Sequence, residues 1–184
     1  MPVAATIAGR PAREWIGLLA RLILGGTLVI AGALKVGELG ESVTAVRAYL
    51  ILPYELTEIV GIALPLGEIL LGLMLITGTF TRVSGILGAL LMVVFTAAII
   101  SVWARGLSLD CGCFGGGGEI SEAEAFAAYP WEIARDIGLA ACGIWLAVFP
   151  RTPFSVDSWL FGRPAPDLVP FDAELDHLAQ EESR

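Results

Sequence analysis

From Val83 to Ala104 the chain runs twenty-two residues without a charge. As a helix that stretch is about 33 Å long, enough to cross the hydrocarbon core of a bilayer. Three further apolar runs have similar lengths, at 15–36, 58–79 and 130–149. With 56% hydrophobic and 16% charged residues, the composition is that of a membrane domain rather than a soluble one. The expected fold is therefore all-α: a polytopic bundle of four transmembrane helices. A polar lead, 1–14, precedes it, and an acidic, Pro-containing tail, 150–184, follows it. The net charge of −8 excludes the basic footprint that nucleic-acid binding needs.

Local signals refine the elements. The small residues Ala31-Gly32-Ala33 resemble a signal-peptide cleavage site, but the run is long for a signal core and Arg21 interrupts it, so a retained first helix is expected. The 37–56 connection has room for a short interfacial helix, Glu41 to Leu50, with Tyr49 and Tyr54 at headgroup level. Pro65 predicts a local kink in the second span. Ser84, Gly85, Gly88 and Ala89 offer the third span a small-residue face for close packing. Ser121 and Glu124 form a capping box for a helix over 122–128, and Pro130 suits the first turn of the fourth span. A short helix over 171–180 is expected in the tail.

Four spans place both termini on one side. Arg10, Arg13, Arg82, Arg151 and Arg163 flank the spans there; Lys35, Arg47, Arg105 and Arg135 lie opposite, mixed with acids. The basic excess predicts cytoplasmic termini in the cell (inner) membrane, with the loop between the third and fourth spans outside, in a compartment that permits disulfides in bacteria.

That loop carries Cys111 and Cys113 around Gly112, followed by a glycine-rich stretch to Gly118. A Cys-Gly-Cys disulfide closes a very small ring, and strain makes such a bond easy to transfer or reduce. Three readings stay open: a redox pair exchanging with a docking protein, a bracing disulfide or idle small residues, and half of a metal site. The last lacks ligands, because His177 is expected on the opposite side and zinc wants two more donors. No metal or other cofactor is evident. Cys142 falls well inside the fourth span and is expected to pack as a small apolar residue. Without a second dithiol, the chain does not read as a self-sufficient quinone-coupled oxidase. Arg21 and Glu68 are costly in hydrocarbon and are expected to pair inside the bundle as structural charges. Lys35, Arg135 and Asp136 form a possible polar cluster near the outer face, able to lower a thiol pKa.

Several patterns together resemble a known family: Arg21-Leu22-x-Leu24-Gly25 with Ala31-Gly32-x-x-Lys35; Ala45-Val46-x-Ala48-Tyr49 with Leu52-Pro53; Leu64-Pro65-x-x-Glu68-x-x-x-Gly72; and Arg105-Gly106 with Asp110-Cys111-Gly112-Cys113-Phe114-Gly115. They resemble the methylamine-utilisation protein MauE family, within the DoxX-like four-helix membrane proteins, over residues 18–149. The resemblance implies a redox-linked membrane protein, working with a thioredoxin-like partner in the maturation of a disulfide-rich protein. The expected function is support of extracytoplasmic thiol–disulfide chemistry, with Cys111 and Cys113 exchanging with a thioredoxin-fold partner. The alternative is a non-catalytic anchor or accessory subunit of a larger membrane complex. A small transporter using Glu68 is a weaker reading, since four helices without inverted repeats make a poor pore.

Overall fold

The computed structural model describes residues 12–113, 116 and 118–160. Residues 1–11, Phe114, Gly115, Gly117 and the tail from residue 161, including the expected 171–180 helix and His177, lie outside the described residues. The elements are α1 (Ala12–Val36), α2 (Leu39–Ala48), α3 (Tyr54–Thr77), α4 (Thr81–Ala104), a hairpin of β1 (Leu109–Asp110) and β2 (Gly118–Glu119), α5 (Glu122–Val148) and α6 (Val156–Leu160). Among the described residues α1, α3 and α4 are the helices long and apolar enough to cross a membrane.

The burial pattern is inverted relative to a soluble domain. Leu19, Leu70 and Leu90 are 59%, 63% and 57% exposed, whereas Arg21, Glu68 and Asp136 are 2%, 1% and 1% exposed. Outward apolar faces around a polar, small-residue interior suit a lipid solvent, where close contact rather than hydrophobicity draws helices together. Glycine supplies that contact between α1 and α3. A Cβ on Gly25 would lie 2.9 Å from the Gly72 carbonyl oxygen, and one on Gly32 2.6 Å from that of Pro65. The α4–α5 pair is locked in the same way, for a Cβ on Gly143 would meet the Gly85 carbonyl at 2.7 Å. The small face expected on α4 thus meets α5 through Gly85 and Ala89, while Gly88 faces Leu24. Gly72→Leu is expected to destabilise the bundle by about 3 kcal/mol, the upper end of ordinary overpacking. A lowered thermal midpoint in detergent, against an unchanged one for Gly67→Leu, where nothing lies within 4 Å of a Cβ, checks it.

Pro65 sits inside an unbroken α3. Its ring removes the donor to the Gly61 carbonyl. Ser42 of α2 takes that role, its hydroxyl donating to Gly61 O at 2.8 Å. α3 ends at Gly78, which is left-handed (φ 71°) and packs against the Arg21 guanidinium.

Two boundaries differ from expectation. The capping box at Ser121 and Glu124 is formed, but its helix does not stop at residue 128. α5 continues through Pro130 to Val148, so the proline is interior and does not open the helix. Packing overrides the local penalty. Ala125 and Tyr129, 0% and 1% exposed, hold the turns before the proline against Ile99 and Val102 of α4. The second difference lies at the far end. Residues 150–160, expected in the tail, fold back onto the bundle. Arg21 Nη1 donates to Thr152 Oγ1 (2.7 Å) and Nη2 to Phe154 O (3.0 Å). Asp157 accepts from the Phe80 and Thr81 amides at 2.8 and 2.7 Å, satisfying orphan donors at the start of α4.

Candidate functional site

The ends of α1, α3, α4 and α5 opposite Arg21 converge on the cysteine connection. Tyr129 positions it. Its hydroxyl accepts from the Leu109 amide (2.9 Å) and lies 2.8 and 3.0 Å from the Leu107 and Leu109 carbonyls, tying the strand to α5. The β1–β2 pairing, Leu109 with Glu119 and Asp110 with Gly118, then closes the loop. Gly112 is left-handed (φ 62°), a conformation that favours glycine. Its amide donates to Asp110 Oδ1 at 3.2 Å. Tyr49 is half-buried and bonded to this loop. Its hydroxyl donates to Cys111 O (3.0 Å), while Arg105 Nη2 holds the Tyr49 carbonyl at 2.6 Å.

In the structure the two sulfurs are not bonded to each other; Cys111 is half-buried and Cys113 buried. The Cys113 amide donates to Cys111 Sγ at 3.3 Å. The two sulfurs are unequal. The hydrogen bond from Cys111 holds the Cys113 pKa below the ordinary thiol value; burial and Asp136 oppose it, and Arg135 and Lys35 reinforce it. Cys111 is pushed up by the same hydrogen bond, by burial and by the Cys113 and Glu132 charges. The buried sulfur is the more acidic of the two.

The charges around this pair are not arranged as the sequence suggests. Arg21 and Glu68 do not pair. Lys35 Nζ binds Glu68 Oε1 and Oε2 at 2.8 and 3.0 Å, and Arg21 turns to residues 152 and 154. One reason is the tilt of side chains towards a helix N-terminus. On α1 this sends Arg21 towards the end where the chain enters and brings Lys35 back towards mid-bundle. α3 runs the other way, so Glu68 tilts up to meet Lys35. Arg135 Nη2 binds Asp136 Oδ1 at 2.9 Å. A void of about 10 Å³, lined in part by Glu68, Cys113, Arg135 and Asp136, joins the two pairs beside the buried sulfur. That is about the space of one water molecule. Asp136 Oδ2, buried and without a hydrogen-bond partner among the described residues, gives such a water an acceptor.

Asp110, Cys111 and Glu132 bring one thiolate and two carboxylate ligand atoms within 4.8 Å of one another, the set among the described residues that could hold a cation. Its mixture of one soft and two hard donors falls short of the four ligands of structural zinc. Glu132, Tyr49 and Tyr129 are site residues that the sequence reading missed. A continuous helix from Ser121 carries the signal for two of them, because Ala125, Tyr129, Glu132 and Asp136 then recur at helical spacing. Cys142 packs as a small residue against the Leu24–Leu28–Leu75 core.

The fold and the site define a multi-pass membrane protein whose helix bundle sets a dithiol at one end. Residues 13–149 match the family model described as Methylamine utilisation protein MauE, and the chain belongs to that family. No curated protein and no solved structure matches the chain.

Proposed function

We propose that the protein is a four-span inner-membrane component of extracytoplasmic thiol–disulfide chemistry, with α5 as the fourth span, cytoplasmic termini and Cys111–Cys113 as the exchanging pair. The observation that carries this reading is the placement of the two sulfurs, Cys111 half-buried and Cys113 buried beside Arg135 and Asp136. In the oxidised protein, a thiolate of a docked thioredoxin-fold partner attacks the accessible Cys111 Sγ. The bond to Cys113 breaks, and Cys113 departs as a thiolate beside Arg135 and Lys35. A low-pKa leaving thiol departs faster. The partner's second thiolate then displaces Cys111, leaving the partner oxidised and Cys111 and Cys113 reduced. Lys35–Glu68 and Arg21 hold the architecture.

Trapping in intact cells with a membrane-impermeant thiol reagent tests the reading. Wild-type Cys111 and Cys113 are expected to label only after mild reduction, and Cys111→Ser and Cys113→Ser to abolish exchange while still accumulating in the membrane. Both variants retaining function would move the protein to the accessory-subunit reading, in which Tyr49 and Tyr129 brace a loop without chemistry.

A further inference from the structure

The thiol-exchange reading leaves open what reoxidises the dithiol. Among the described residues, a half-open cavity of about 240 Å³, bounded by α2, α3, α4 and the loop, touches both cysteines. Its walls are almost wholly apolar, including Val46, Leu64, Val94 and Ala98. Its polar end is formed by Cys111, Gly112, Cys113, Tyr49, Ser42 and Lys35. A dry apolar cavity of roughly 150 Å³ takes one benzene ring, so this one has room for a substituted or fused ring. The cavity does not end there. A second groove of about 440 Å³ shares Val60, Leu64 and Leu91 with it and runs on along α3 and α4 past Met74 and Leu87. Val94 and Leu87, 53% and 48% exposed, lie on the outward face, so the groove opens to the surroundings of the bundle.

A ring-sized chamber ending on two sulfurs, continued by an apolar channel along the spans, has the shape of a redox ring bearing a long hydrocarbon tail. Resting on the exchange reading above, we propose that this cavity binds a lipophilic quinone, with its ring at Cys111 and Cys113 and its tail between α3 and α4. The reaction balances without another reagent. The two S–H bonds break and the Cys111–Cys113 bond forms. The two electrons and two protons pass to the quinone oxygens, giving the quinol. The absence of a second dithiol, which counts against a quinone-coupled oxidase when the loop is pictured outside the bilayer, loses its force. The sulfurs themselves line a cavity reached from the membrane, so one pair serves both partner and acceptor.

The full-length protein is reduced in detergent, freed of excess reductant and mixed anaerobically with decylubiquinone. One quinol formed and two thiols lost per chain are expected, and none in Cys111→Ser or Cys113→Ser. Ala98→Trp, and Val94→Trp at the rim, are each expected to slow quinol formation by about tenfold or more. Val83→Trp, on the outward face at the other end of α4, is expected to leave it unchanged. Elution in size-exclusion chromatography as for wild type shows that each variant is folded. Diamide, a water-soluble oxidant, separates the two levels of the argument. A disulfide closed by diamide with no quinol from decylubiquinone overturns the quinone site and leaves the exchange reading standing. Failure of both oxidants to close it overturns both. Undiminished rates in the folded Ala98→Trp and Val94→Trp proteins overturn the cavity as the site.

Discussion

Lys35→Met is expected to cost the bundle about 3–5 kcal/mol, the toll of leaving one member of a buried ion pair alone. The geometry makes the cost large. Lys35 and Glu68 are 5% and 1% exposed, and both carboxylate oxygens are bound by the same ammonium. Without Lys35, the Glu68 carboxylate remains at the Gly32–Pro65 crossing, where the two backbones are too close to admit a new side chain. Lys35→Met combined with Glu68→Met is expected to recover most of the loss, because two apolar side chains of similar volume remove both charges at once. Thermal denaturation of the four proteins in detergent measures the cycle. If the double variant falls as far as the sum of the singles, the pair is not a stabilising unit and Glu68 serves something other than packing.

The same pair marks the limit of what is legible in the sequence. Runs of twenty or more uncharged residues can be read because bilayer thickness sets their length, and three of the four expected spans coincide with helices of the required kind. The capping box is legible because its chemistry lies within four residues. The 41–50 helix is found at Leu39–Ala48. Partner choice among buried charges is different in kind. Arg21 and Lys35 lie on one helix and compete for one carboxylate; depth counted from the ends of the apolar runs favours Arg21, whereas the Gly25–Gly72 and Gly32–Pro65 crossings set Glu68 nearer Lys35 and the tilt of the side chains adds to this. Pro130 fails for another reason. Its local meaning as a helix opener is outweighed by the contacts of Tyr129, and those lie twenty and more residues away in sequence. Tyr49 reaches Cys111 over sixty-two residues, a distance at which periodicity carries no information. The cysteine pair is evident in the sequence, but the cations and cavity that give it a chemical direction belong to the packing of four helices.

Arg135→Gln is expected to narrow the inequality of the two sulfurs. Arg135 favours the Cys113 thiolate, and Asp136, bound to it at 2.9 Å, opposes that thiolate. Removing Arg135 therefore acts twice in one direction, taking away a cation and releasing the anion it masks. The Cys113 pKa rises, and at a pH below it each unit gained lowers the thiolate population about tenfold. The linkage has a definite sign. A depressed thiol pKa stabilises the reduced protein fully above the ordinary value of 9.0 and progressively less as pH falls through the folded value. The wild-type disulfide is thus a stronger oxidant than an unperturbed one at a pH above the folded Cys113 value, and it loses that advantage on acidification. In Arg135→Gln, at a pH above the folded value, each unit restored to Cys113 weakens the oxidant by about 30 mV, and below that value the loss dwindles. Alkylation of Cys113 followed against pH by mass spectrometry reads the midpoint, and equilibration with a dithiol of known potential reads the oxidising strength. The expected result is a higher midpoint, slower exchange at neutral pH that recovers as pH is raised, and near-normal behaviour in Arg135→Lys, which keeps the charge. An unchanged midpoint in Arg135→Gln would mean that the hydrogen bond from Cys111 alone sets the thiolate. The partner's attack would then owe its direction to the accessibility of Cys111 rather than to the charges behind Cys113.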